Sequence, residues 1–464
     1  MLKLLLIIMM VSLLVLPSVQ AEELVLRDPS EAEGRFWNNP RDIKDIGDPF
    51  VLNAGDGYQI YATGGPIGFF TWHSEDLLKF ERTKALKKVS WAASDYWAPE
   101  VFEWNGQYVM LFTARERASG SLRTGIAFSE KAEGPFTDPL DAPLMDYGYA
   151  TIEATLTTDA DGVPYLIYVR DISENRIGNG GESHIYGVRL ADDLLSTVGE
   201  PVLLLTPEGE WESRSGRERW NEGPAVVREG GRWYLFYSAN GYFMKEYSVC
   251  VAVADHPLGP YTKQATNPLL APVETESEVL VSGPGHNAFF NVGKELFTAY
   301  HTHTYVQAPS GNRQLCIDRA GFHADGTAYI NGPTLAPQLR PLETQMLVNH
   351  MQNAVCADGQ AELLWDGDIC VAKTSAPYVF RGKEAEMTWE TPALSDMLLI
   401  YPPAGEAIAG KVFINGMEAA FACDASLKGD AAVLFFRPLE VSSLKVMLTD
   451  GNGIGEIMLI GKAE

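Results

Sequence analysis

Three carboxylates stand at the entrance of apolar, strand-like runs: Asp48 in "GDPFVL", Glu153 in "TIEATL" and Glu222 in "NEGPAVV". Gathered around one partly dry pocket, three such groups would repel one another if all were ionised. Their pKa values would be forced apart, and at least one carboxyl would keep its proton near neutrality. An ionised carboxylate beside a protonated one is the pair that glycosidic cleavage uses: one protonates the leaving oxygen, the other activates water or attacks carbon. Singly, each residue also has a structural reading. Asp48 before Pro49 is a common turn element, Glu153 could end a strand at the surface, and Glu222 could accept from loop amides. Their recurrence in one register favours a shared role.

The elements that must position them repeat five times. The units read "GDPFVLNAGDGYQIYATGG" from Gly47, "WAPEVFEWNGQYVMLFTAR" from Trp97, "TIEATLTTDADGVPYLIYVR" from Thr151, "NEGPAVVREGGRWYLFYSANG" from Asn221 and "SGPGHNAFFNVGKELFTAYHTH" from Ser282. Each places a polar residue at a strand mouth, then an apolar strand, a glycine-bearing turn and a strand ending in aromatics, which is a hairpin with alternating burial. Further strand-like runs follow every hairpin. Four strands per unit, five times over, predict a five-bladed β-propeller. A plain two-sheet sandwich gives no reason for the same mouth to return five times, whereas in a propeller the innermost strands line one channel and their mouths converge.

After "TLAPQLRPLETQ" the repeat stops. Shorter β-like segments such as "KVFINGMEAAFAC" predict a separate β-sandwich of jelly-roll type over residues 345–464, behind a propeller over residues 22–344. The fold class expected is therefore all-β in two units. Residues 1–21 read as a secretory signal peptide: Lys3, an apolar run to Leu16, a Pro-Ser break and a small-x-small site at Val19–Ala21. The apolar run is short for a membrane span, so a secreted chain, extracellular or periplasmic and free of the membrane after cleavage, is expected. With 36 basic and 61 acidic residues the net charge is −25, which repels nucleic acid and anionic lipid and suits a neutral partner. The five cysteines are odd in number and include no C-x-x-C pair, which argues against a disulfide framework. Cys356 with Cys370 is the one pairing considered, against buried thiols.

The ordered set "GDPFVL", "WAPEV", "IEATLTTDADGVPYL", "NEGPAVV", "YLFYSANGY", "PLGPYTK", "GPGHNAFF" and "NRQLCIDR" resembles glycoside hydrolase family 43 from about Asn38 to Thr334. That resemblance implies an inverting five-bladed propeller enzyme acting on arabinose-, xylose- or sometimes galactose-containing glycans. It implies that Asp48 is the general base, Glu222 the general acid, and Glu153 the third acid, which tunes and orients the acid. The family's third acid is normally aspartate, so Glu153 is a departure. It also implies that Arg313 reaches the bound sugar and that His286 is an axial histidine associated with a structural calcium. The chemistry itself would need no cofactor, and one imidazole is a poor calcium site unless waters complete the shell. Trp97 could stack on a sugar face or sit in the core, and Phe36–Trp37 could wall the pocket. The closing "GIGEIMLIGK" resembles the last strand of galactose-binding-like domains.

The function expected is thus a secreted glycosidase releasing terminal arabinofuranosyl or xylosyl residues from neutral oligo- or polysaccharide. Two alternatives stand beside it: a non-catalytic sugar-binding propeller, and a galactan- or galactofuranose-directed hydrolase of the same fold. A retaining fructan hydrolase is disfavoured, because "FWNNP" carries Asn39 where the nucleophilic aspartate would stand.

Overall fold

The computed structural model describes residues 22–463 apart from 44, 66, 67, 88, 215, 310, 358, 360–362 and 370–378. The leader expected over residues 1–21, and Cys370 as partner of Cys356, lie outside the described residues. The four described cysteines, Cys250, Cys316, Cys356 and Cys423, are buried.

The chain is all-β. Five antiparallel units follow one another, and their innermost strands are Phe50–Asn53, Ala92–Trp104, Thr151–Thr158, Glu218–Glu229 and Gly285–Val292. Blades one, four and five each carry four strands in simple order; blade two has three, with an isolated bridge from Phe128 to Thr137. Blades three and four share a short parallel pairing of Gly181–Ser183 with Glu218–Trp220.

Alternation along the strands sends apolar side chains to both faces of each sheet, and neighbouring sheets share the resulting cores. Phe50, Tyr61 and Phe69 of blade one pack with Val101 and Phe112 of blade two. Val109 and Leu111 of blade two meet Leu166 and Val188 of blade three. Ile167 and Val169 meet Leu235 and Cys250 of blade four, and Phe236 and Val251 meet Tyr300 and Cys316 of blade five. The series returns to its start, because Phe290, Phe297 and Leu315 of blade five pack with Val51 and Ile60 of blade one. Backbone bonds from Arg41 to Leu315 and from Ile46 to Arg313 tie the same junction. This cyclic packing fits a β-propeller.

The residues after the repeat form one hydrogen-bonded sheet. Its order runs Leu347–Asn349, Glu456–Lys462, Glu384–Tyr401, Ala432–Asp450, Ile408–Ile414, Met417–Cys423, with Val355–Cys356 beside Glu384–Tyr401. Along Glu384–Tyr401 successive side chains alternate between two cores. Leu398 and Ile400 join Val412, Leu444 and Ile457 inside this part, whereas Met397, Leu399 and Tyr401 pack with Ala32 and Leu339. Residues 22–27, which the sequence groups with the propeller, hydrogen-bond to this sheet: Leu24 N donates to Glu418 O at 2.8 Å and Arg27 N to Phe435 O at 2.7 Å.

Candidate active site

Every inner strand has a residue in the left-handed region at its mouth, and that of blade two carries a second, Asp95 (φ 57°). The mouth residues are Asp48 (φ 54°), Ala98 (43°), Glu153 (54°), Gly223 (54°) and His286 (49°). In blades two to five the strand pairing shifts register at that point. A left-handed non-glycine residue costs of order 1 kcal/mol, and four of the five are not glycine. The kink turns the mouth residue inward, which regular pleating would not do.

A second regularity holds the kinks in place. The N–H of the kinked residue donates to a polar side chain at the end of the preceding blade's second strand. Ala98 N reaches Thr63 Oγ1 at 3.0 Å, Glu153 N reaches Thr113 Oγ1 at 2.8 Å, His286 N reaches Ser238 Oγ at 2.8 Å, and Asp48 N reaches His301 Nδ1 at 3.2 Å. Blade four breaks the pattern: Gly223 N donates to the Glu153 carboxylate, Oε2, at 2.7 Å. A buried backbone donor must be satisfied, and here an acid takes the place of a hydroxyl. The departure from aspartate to Glu153 thus has a physical correlate, since the longer side chain reaches the amide next to Glu222.

The structure brings Asp48, Glu153, Glu222, His286 and Arg313 together. Arg313 Nη1 donates to Asp48 Oδ1 at 2.7 Å, and Thr63 Oγ1 donates to Asp48 Oδ2. His286 Nδ1 lies 3.3 Å from Asp48 Oδ1 and 3.9 Å from Glu153 Oε1. Gly47 makes room for this pairing, because a Cβ there would fall 2.0 Å from the Arg313 guanidinium. Asp48, Glu222 and His286 are buried. Trp97 is half-buried at the mouth of blade two and packs one side on the core shared by blades three and four.

Burial and neighbouring charge set the protonation states. Burial alone would raise Asp48, but the Arg313 guanidinium, helped by the Thr63 hydrogen bond, outweighs it and holds the carboxyl well below the usual range. Glu222 goes the other way. Burial pushes it up to about 8, with Asp171 and Asp48 adding to the rise and the Tyr247 hydroxyl and Arg313 opposing it. Glu153 is raised well above the usual range by burial and then by Glu222 and Asp48. Burial depresses His286 and, more strongly, His301, so both imidazoles are neutral. Near neutrality the site therefore holds one ionised acid and a protonated pair.

Several contributors carry no role in the sequence reading. His301 is fully buried, stacks on Tyr247 with ring centroids 5.5 Å apart, and accepts from Asp48 N. Asp171, buried as the cap of a short turn, adds negative charge near Glu222. The repeat alignment does contain a signal for part of this set. Thr63, Thr113, Ser238 and His301 all follow the aromatic end of the second strand by one or two residues.

One expectation is corrected. Trp37 does not wall the pocket: it is buried between blades one and five, edge-on to Phe297 at 6.1 Å. The calcium implied at His286 finds no side-chain cage. Among the described residues no group of three or more His, Cys, Asp or Glu is disposed to hold a metal. The nearby carboxylate oxygens are engaged by Arg313, Thr63 and Gly223, so a cation beside His286 would have to take its oxygens largely from water. Asn39, the residue of the fructan-type motif, bonds instead to Ile317 O and Asp318 Oδ1 at 3.1 and 3.0 Å.

A ring of β-sheets whose mouths gather an ionised carboxylate and a protonated one has the make-up of an acid–base hydrolase. Residues 38–328 match the pattern of "Glycosyl hydrolases family 43", and the chain belongs to that family of glycosidases. Among solved structures it is similar to a thermostable family-43 glycoside hydrolase, with 41% identity and a TM-score of 0.63 over 66% of this chain and 99% of that one. It is 27% identical to a β-D-galactofuranosidase of Aspergillus niger over 56% of this chain and 72% of the relative. It is 25% identical to a xylosidase/arabinosidase of Bacteroides ovatus over 52% and 75%. Among the described residues no helix is long and apolar enough to cross a membrane.

Proposed function

We propose that the protein is an exported, exo-acting glycosidase that removes terminal arabinofuranosyl or xylosyl residues from neutral glycans with inversion at the anomeric carbon. The observation that carries this reading is geometric: buried Asp48 is paired with Arg313 at 2.7 Å, while buried Glu222 stands in the same site beside the Gly223 amide that Glu153 holds at 2.7 Å, an arrangement that favours an ionised Asp48 and a protonated Glu222. Asp48, ionised against Arg313, takes a proton from the attacking water. Glu222 gives its proton to the leaving oxygen. Glu153 anchors the Gly223 amide and so fixes the chain beside Glu222, while its proximity helps keep the pair protonated. Inversion requires room for water, with the two carboxyls roughly 6.5–9.5 Å apart. Relatives named as extracellular exo-α-(1→5)-L-arabinofuranosidases support export. The C-terminal sheet is read as a sandwich-type accessory domain.

The similarity to a galactofuranosidase favours a second reading, a galactofuranose-directed enzyme using the same residues. A panel of aryl arabinofuranosides, xylosides and galactofuranosides, with NMR of the first-formed sugar, decides between them. Release of arabinose or xylose as the inverted anomer is expected. Retention of configuration, or turnover of none of the panel, would contradict the proposal.

A further inference from the structure

Blade four carries a buried carboxylate that the chemistry above does not use. Glu212 is fully buried in the short turn Glu210–Glu212, on the crossover from blade three to blade four. Its Oε2 accepts from Glu208 N at 2.7 Å and from Gly209 N at 2.5 Å. Lys263 Nζ, on the outermost strand of the blade, donates to Oε1 at 2.8 Å and to Oε2 at 2.7 Å. The Tyr237 hydroxyl of the second strand donates to Oε1 at 2.8 Å, and Asn221 Nδ2 of the innermost strand donates to the same oxygen at 3.0 Å. Burial would raise the Glu212 carboxyl, but the Lys263 ammonium and the other donors together outweigh it and keep the group ionised. One side chain thus ties the crossover to three strands of the blade.

Asn221 immediately precedes Glu222. Its NH2 group is claimed by two acceptors, Glu212 Oε1 and the Trp220 carbonyl at 3.1 Å, while its Oδ1 is buried with no partner among the described residues. A buried acceptor without a donor is costly, so this orientation is held by the stronger, charge-assisted bond to Glu212. Glu222 is therefore bracketed. The Asn221 side chain before it is fixed by Glu212, and the Gly223 amide after it is fixed by Glu153 at 2.7 Å.

We infer that Glu212, acting through Asn221, is a positioning residue for the acid Glu222, holding the strand on one side of it as Glu153 holds the amide on the other. This rests on the function proposed above. A general acid matters most when the leaving group is poor. The probes are phenyl and 2,4-dinitrophenyl β-D-xylosides with the matching α-L-arabinofuranosides, because dinitrophenolate departs without a proton and phenolate does not. Asn221→Ala and Tyr237→Phe each remove one donor from Glu212 Oε1, but only the first is joined to Glu222. Asn221→Ala should lower kcat/KM about tenfold on the phenyl glycosides and less than about twofold on the dinitrophenyl ones, and Tyr237→Phe should lower neither. A background of Glu212→Leu with Lys263→Met removes the ion pair without leaving a lone buried charge. There Asn221→Ala should cost less than about twofold further. Equal losses on the two leaving groups, the same split from Tyr237→Phe, or a full further loss in that background would overturn the inference. If the background does not fold, the comparison of Asn221→Ala with Tyr237→Phe decides. Glu222→Gln on the same substrates keeps the two claims apart. A split there without one from Asn221→Ala removes the positioning role alone; no split there removes the acid assignment itself.

Discussion

Two clusters of the same residue types sit in different parts of this molecule and end in opposite charge states. At the propeller mouth His286 lies against Asp48 and Glu153, and at the junction with the C-terminal sheet His323 lies against Asp366 and Asp368. His323 Nδ1 is 3.0 Å from Asp366 Oδ2 and Nε2 is 3.3 Å from Asp368 Oδ2. Burial would lower it, but hydrogen bonds to the two aspartates outweigh burial and raise it to about 9. His286 has only Asp48 to raise it, against burial and the Arg313 guanidinium, and it is lowered. The difference is burial first, which outweighs Asp48 at His286 with Arg313 adding to it, whereas two aspartate hydrogen bonds outweigh burial at His323. At the mouth Arg313 already answers the negative charge of Asp48, and the neutral histidine leaves the remaining acids without a cation of their own. At the junction a histidine is the cation for two carboxylates, with buried Glu456 bonded to the nearby Gly367 amide at 3.2 Å and itself pushed up by burial. The junction cluster clamps two parts of the chain; the mouth cluster keeps protons available.

The largest expected effects break the mouth. Asp48→Asn and Glu222→Gln should each lower kcat by about 10³-fold or more, with circular dichroism unchanged. Rates close to those of the native protein from either variant would remove the role assigned to it. A smaller effect should come from Glu153. Glu153→Gln keeps an oxygen for Gly223 N, whereas Glu153→Ala leaves that buried donor unpaired. Kinetics should place the alanine variant about tenfold below the glutamine variant; equal rates would mean that the bond to Gly223 does not hold the acid.

The smallest effect belongs to the junction and is on stability. His323 has a folded pKa above its unfolded value, so its contribution is full below about pH 6.5 and is lost as pH rises through about 9. Thermal melts of the native protein should fall by about 2–4 °C across that window from this source. Tyr329, whose hydroxyl bonds to Asp366 O, is raised well above its usual value and does not titrate there. The difference between native and His323→Gln melts should narrow with rising pH. A constant difference would show that the imidazole acts there by shape and not by charge.

Much of this was open to reading from residue order. Five mouths in one register predict five sheets and a convergent site because the hairpin repeat carries its own turn and strand signals. The tuning was less visible. That Arg313 reaches Asp48, across 265 positions, depends on Gly47 having no side chain, which no local pattern expresses. The left-handed kinks fall on Ala98 and His286 as readily as on Gly223, so glycine does not mark them. The attachment of residues 22–27 to the C-terminal sheet rests on a few backbone bonds, which leave no trace in composition. Glu212 lies in a short turn on a crossover between blades, where periodicity is silent.

The central claim is that Asp48 works ionised while Glu222 works protonated, and the pH dependence of kcat/KM tests it most directly, because it reports the free enzyme's essential acid and base. Activity should persist as pH falls through the ordinary carboxylate range and decline as pH rises through about 8, where Glu222 loses its proton. A profile that falls away above about pH 5, as for a carboxyl with no elevation, would contradict the account.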